Sequence, residues 1–114
     1  GIYRYPPVPP LKYKMYWEVP RGTNYGEKVM RKFKYTIKEE QGIHARPASF
    51  LIQEARTYES RITLRVKGKE ADASNIIAVM ALDVMCGQKV EVEICGIDEG
   101  VAYRGMKKFF EENL

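Results

Sequence analysis

The sequence predicts an α+β domain, a four-stranded antiparallel sheet covered on one face by three helices, in the order β-α-β-β-α-β-α. Two observations predict it. Phe33-Tyr35-Ile37, Ile62-Leu64-Val66 and Val90-Val92-Ile94 each alternate apolar with polar residues, the period of a strand buried on one face. Between and after them lie segments with apolar residues at helical spacing, which must layer on that single apolar face. At 114 residues the chain holds one domain with a real core, and 45% hydrophobic with 30% charged residues is ordinary globular composition.

Phe33, Tyr35 and Ile37 make the first strand. Pro47 suits the first turn of the helix that follows, and Pro47, Phe50, Leu51, Ala55 and Tyr58 recur at its inward spacing. Ile62 to Val66 is the second strand, and Lys67-Gly68 turns tightly into a short third strand over residues 69–72. Asn75 is a good N-cap for a second helix running to about Met85, where Cys86-Gly87 stops it. Ile76, Ile77, Val79, Met80, Leu82, Val84 and Met85 wrap nearly all round that helix, so part of the set is expected to be exposed as a patch for a partner. After the fourth strand, Asp98 and Glu99 open a last helix with Val101, Ala102, Met106, Phe109 and Phe110 facing inward.

Composition changes near Met30. Residues 1–29 contain Pro6-Pro7-Val8-Pro9-Pro10 and the aromatics Tyr13, Tyr16 and Trp17, and read as an extended, basic arm. Two expectations stand for it: translated upstream or appended sequence, or a docking segment that could also join two copies of an otherwise monomeric domain. The net charge of +4 divides unevenly: five basic against two acidic residues (+3) in the arm, fourteen against thirteen (+1) in residues 30–114. The domain is nearly balanced, which argues against nucleic acid as its partner. No segment has the apolar length of a membrane span or the apolar core of a signal peptide, so the cytoplasm is the default. Cys86 and Cys95 have neither CxxC spacing nor histidines nearby, so no metal is expected and both read as free thiols.

The chemistry concentrates in Gly42-Ile43-His44-Ala45-Arg46-Pro47-Ala48-Ser49. It sets the chain's only histidine at a helix start, where free backbone N–H groups and the positive end of the helix dipole make a seat for an anion. Arg46 can add a guanidinium fork. A neutral imidazole offers a lone pair near pH 7, its ordinary pKa being about 6.5. Histidine, arginine and helix terminus together can accept, hold and pass on a phosphoryl group. With one histidine and no metal cluster, a stand-alone enzyme is not expected.

That motif, with Ile76-Ile77-Ala78-Val79-Met80-Ala81-Leu82 in the second helix, resembles the histidine-containing phosphocarrier protein (HPr) family of the bacterial sugar phosphotransferase system. The resemblance covers residues 30–114 and leaves residues 1–29 without a counterpart. It implies the family's open-faced β-sandwich and a relay that uses no cofactor. His44 would accept phosphate on Nδ1 from enzyme I, itself charged by phosphoenolpyruvate, and deliver it to enzyme IIA proteins. Arg46 would contact the phosphate, and Ala45, Pro47, Ile76, Ile77 and Met80 would dock the partners. The alternative is a regulatory, nitrogen-type relay or a binding module that signals through its phosphorylation state. Many members carry a regulatory serine before the second helix. Asn75 stands there, Ser74 lies one residue earlier, and no regulatory role is carried to either.

Overall fold

The computed structural model describes residues 30–114; the expected arm over 1–29 lies outside the described residues. The elements are β1 (Arg31–Thr36), α1 (Ala45–Arg56), β2 (Arg61–Val66), β3 (Lys69–Asp72), α2 (Ile76–Ala81), β4 (Lys89–Cys95) and α3 (Glu99–Asn113). The sheet order is β1-β4-β2-β3, every neighbouring pair antiparallel. Type and order are those expected from the sequence.

Alternation puts one apolar row on the helix side. Leu64 lies between Ala71 and Val92, Val92 between Leu64 and Phe33, and Ile62 beside Ile94, all buried. Ala48, Leu51, Ile52 and Ala55 of α1, Val79 of α2 and Ala102, Met106, Phe109 and Phe110 of α3 close over the row. Each large side chain sealed here contributes roughly 1.5–3 kcal/mol. Phe33 and Tyr35 meet Phe110 edge-on at 5.7 and 5.6 Å, the arrangement the ring quadrupoles favour.

The opposite face is charged in columns. Lys32 and Lys34 of β1 stand beside Glu91 and Glu93 of β4, these beside Arg65 of β2, and Arg65 beside Glu70 of β3. Lys32 pairs with Glu91 at 3.3 Å, and Arg65 bonds both Glu70 (2.9 Å) and Glu93. Opposite charges on adjacent strands favour this strand order over one that sets like charges side by side.

Local signals explain the joins. Lys67 and Gly68 both have positive φ (51° and 79°), so the β2–β3 hairpin turns in the sense that matches strand twist. Asn75 caps α2 by accepting the Ala78 amide at 3.1 Å. The helix ends at Ala81 rather than near Met85, because Asp83 takes a left-handed φ of 51°. The short helix takes Val84 and Met85 out of the helix, and part of the apolar set is exposed, as expected. Val79, Leu82 and Val84 are buried, and only Ile76, Ile77, Met80 and Met85 of that set are exposed. Phe50 and Val101 are corrected too: at 44% and 54% exposure they sit at the edges of their helices' inward stripes, not within them.

Asp98 does not cap α3 with its side chain but ties the β4–α3 junction to the start of β2. Its carboxylate accepts the Glu59 amide (2.8 Å), the Ser60 amide (2.9 Å) and the Ser60 hydroxyl (2.5 Å). Burial pushes the Asp98 carboxyl up, but these bonds outweigh it and hold it below the ordinary aspartate value. Asp72 is likewise lowered, by the Ser74 amide and hydroxyl. A carboxyl lowered by folding stabilises the protein above its unfolded pKa, about 3.9, and that contribution disappears as pH falls through the lower folded value. Asp98→Asn is expected to cost roughly 1–2 kcal/mol at neutral pH and to flatten the acid limb, both measured by urea unfolding across pH.

Candidate functional site at the start of the first helix

The segment leading into α1 is pinned on both sides. Ile43 is buried and its amide donates to the Val84 carbonyl at 3.0 Å. The Lys38 and Glu39 amides donate to the Leu114 carbonyl at 2.6 and 2.7 Å. Between these anchors the Gly42 amide closes a turn onto the Glu39 carbonyl at 2.9 Å, with φ at +70°. A Cβ at Gly42 would lie 2.0 Å from the Val84 oxygen, so both the fold of the turn and the closeness of the 84–85 backbone require glycine.

His44 follows as the N-cap residue of α1, in extended conformation. Its side chain makes no capping bond, while its carbonyl accepts the Ala48 amide at 2.9 Å. The imidazole is therefore spared for other work, and its side chain is 36% exposed. Pro47 has no N–H, and the amides of Ala45 and Arg46 have no partner among the described residues. Two helix-end donors thus stand open beside an accessible ring, the setting in which a helix terminus holds an anion. Arg46 lies on the same turn, exposed, with no hydrogen bond or ion pair to its guanidinium among the described residues.

Pro47 is corrected as a docking residue. Its ring is buried, because the third position of α1 turns toward the core. Ala45 is exposed on the histidine's own turn. Ile76, Ile77 (78% exposed) and Met80 form an apolar surface on α2, which packs against α1. Two further large apolar side chains are exposed, one on α1 and one after α2. Met85, expected to lie in a helix, is exposed with its Cα backed against Gly42, and Phe50, expected to face inward, is exposed on α1. The early end of α2 takes Met85 out of the helix, and Phe50 sits at the edge of the inward stripe of α1.

A carboxylate was missed as well. Glu39 Oε2 lies 3.9 Å from His44 Nε2. Its five-residue separation matches no motif, and only the Gly42 turn brings it back. Ser74 turns toward β3: its hydroxyl donates to Asp72 at 2.7 Å and its carbonyl accepts Arg56 Nη2 at 2.8 Å. Cys86 and Cys95 are free and exposed, and among the described residues no group of His, Cys, Asp or Glu could hold a metal ion. No described helix is long and apolar enough to cross a membrane. Two open clefts, of ≈ 560 Å³ at the C-terminal end of α1 and ≈ 320 Å³ on the charged sheet face, are not lined by His44. An accessible ring on a helix terminus beside an apolar surface suits chemistry performed between two proteins.

Residues 31–112 match the sequence model of a family described as "PTS HPr component phosphorylation site". The phosphocarrier protein HPr of Xylella fastidiosa is 34% identical over 85 residues, 75% of this chain and 96% of the relative. The phosphocarrier protein NPr of Proteus mirabilis is 38% identical over 79 residues, 68% of this chain and 88% of the relative. Among solved structures, the histidine-containing phosphocarrier protein of a mycoplasma superposes with a TM-score of 0.70 at 32% identity, covering 72% of this chain and 93% of that one. The fold is the expected open-faced α+β sandwich, a four-stranded antiparallel sheet with three helices. On sequence and fold together, the chain belongs to the HPr family of phosphocarriers of the phosphotransferase system.

Proposed function

We propose that the protein is a relay that accepts a phosphoryl group from phospho-enzyme I on Nδ1 of His44 and delivers it to an enzyme IIA protein in the cytoplasm. The observation that carries this is the accessible, half-buried His44 ring beside the Ala45 and Arg46 amides, which have no partner among the described residues, within a family match described as a phosphorylation site. The Nδ1 lone pair forms the N–P bond while the bond from phosphorus to the donor breaks, the donor keeping the electron pair. Little covalent work is left to the protein, so positioning and charge suffice. The amides and the Arg46 guanidinium receive the phosphoryl oxygens. Phosphoenolpyruvate carrying radioactive phosphorus, with enzyme I, should label the protein with an acid-labile phosphate that a sugar-specific enzyme IIA then removes. No labelling would refute the relay.

The exposed Ile76, Ile77 and Met80 dock the partners, with Ala45 at the rim. Met80 contributes an adaptable side chain, fitted to more than one partner. Met80→Asp should weaken association with enzyme I by about tenfold, read as a rise in KM, while the unfolding midpoint moves little because the side chain is exposed. A regulatory relay is the second reading. What favours it is that an NPr, 38% identical over 79 residues, stands among the relatives beside the HPr proteins. It predicts a labelled protein whose phosphate the sugar enzymes IIA do not take.

A further inference from the structure

We infer that Glu39 is a positioning residue for His44: it holds the ring proton on Nε2, presents the Nδ1 lone pair, and faces the positive charge the ring acquires on phosphorylation. The inference rests on His44 being the acceptor.

Three contacts keep Glu39 where it stands. Its amide donates to the Leu114 carbonyl (2.7 Å), its carbonyl accepts the Gly42 amide (2.9 Å), and its carboxylate accepts the Gln41 amide at 3.4 Å. The remaining reach of the carboxylate points to His44 Nε2 at 3.9 Å. That separation is too long for a direct hydrogen bond, but it suits one bridging water, or contact after a small side-chain rotation on meeting a partner. A carboxylate accepts and never donates, so the nitrogen it faces is the one that carries the proton. Nδ1 is then left unprotonated.

Charge balance gives the second effect. A neutral imidazole that attacks phosphorus through Nδ1 and keeps its Nε2 proton becomes a phosphoimidazolium, its ring now positive. The carboxylate faces the nitrogen where that charge appears and is remote from the phosphoryl group on the other nitrogen. It therefore favours the transferring state over the resting ring, which is what accelerates a step. Glu39 and His44 are both about one-third exposed, so solvent screens the pair and the effect is modest.

The test uses the full chain and two variants, with amide spectra confirming that each folds. Nitrogen NMR of unphosphorylated protein at about pH 8.5, where imidazole is neutral, reports which nitrogen bears the proton. Wild type should show the Nε2–H form almost alone. Glu39→Gln keeps an accepting oxygen and should keep that form, while Glu39→Ala should relax toward the mixture of an unrestrained imidazole. Initial rates of labelling by phospho-enzyme I should fall about fivefold in both variants, equivalent to roughly 1 kcal/mol of transition-state stabilisation. Glu39→Gln at the wild-type rate, or Glu39→Ala with an unrelaxed ring, overturns the inference while leaving the relay intact. Wild-type protein that takes no label overturns the acceptor assignment and this inference with it.

Discussion

His44→Ala should abolish labelling from phosphoenolpyruvate and enzyme I, below about one part in a thousand of wild type, with the unfolding midpoint within roughly 0.5 kcal/mol of it. The first half follows from chemistry. His44 is the chain's only histidine, and the neighbouring amides can hold a phosphoryl group but cannot form a bond to it. The second half follows from the cap geometry. The His44 side chain makes no capping bond, and the capping carbonyl that receives the Ala48 amide belongs to the backbone, which alanine retains. Label on the alanine variant would reassign the acceptor; a large fall in stability would mean that the ring has a structural duty its exposure does not suggest. Variants of Arg46 and Glu39 can be interpreted only against this one, since the role proposed for each is to modulate a step proposed for His44.

Gly42→Ala should be strongly destabilising, costing about 3 kcal/mol or more in denaturant unfolding. Part is the left-handed backbone at φ +70°, which disfavours any Cβ by about 1 kcal/mol. The larger part is steric. The added atom would stand 2.0 Å from the Val84 oxygen and 2.9 Å from Met85 Cα, both backbone, so no side chain can swing aside. Relief requires the 39–44 turn to lift from the 84–85 strand entry, breaking the Ile43–Val84 hydrogen bond and displacing His44. Labelling should therefore slow even in the folded fraction. Gly68→Ala makes the comparison: it also has positive φ, but a Cβ there meets nothing within 4 Å, so only the conformational cost of about 1 kcal/mol should appear.

The legible parts of this fold were those governed by a period. Alternation in 62–66 and 90–94 located two strands with their buried faces, and the Lys67-Gly68 pair located the hairpin. The site was legible to the same extent: glycine, histidine, arginine and proline at fixed offsets place the ring at a helix terminus, and the structure has it there, accessible. Boundaries were less legible. A left-handed Asp83 ended α2 four residues before Met85, and aspartate at that position carries no unambiguous stop signal. Inward and outward were misjudged for Phe50 and Val101 because a side chain at the edge of an apolar stripe can turn either way, and neighbouring elements decide. Glu39 was invisible for a different reason: its contact with His44 depends on a turn conformation, not on spacing.

The order β1-β4-β2-β3 has a consequence for how the molecule comes into being. During synthesis β1 leaves the ribosome well before the strand it pairs with, because among the described residues its neighbour is β4, more than fifty positions downstream. The β2–β3 hairpin can form early, but it lacks the strand that joins it to β1. The histidine turn waits longer still, since its Lys38 and Glu39 amides bind the carbonyl of residue 114. A growing chain of this topology assembles late and nearly all at once. Translation that stalls before residue 89 therefore leaves the sheet without the strand that joins β1 to β2.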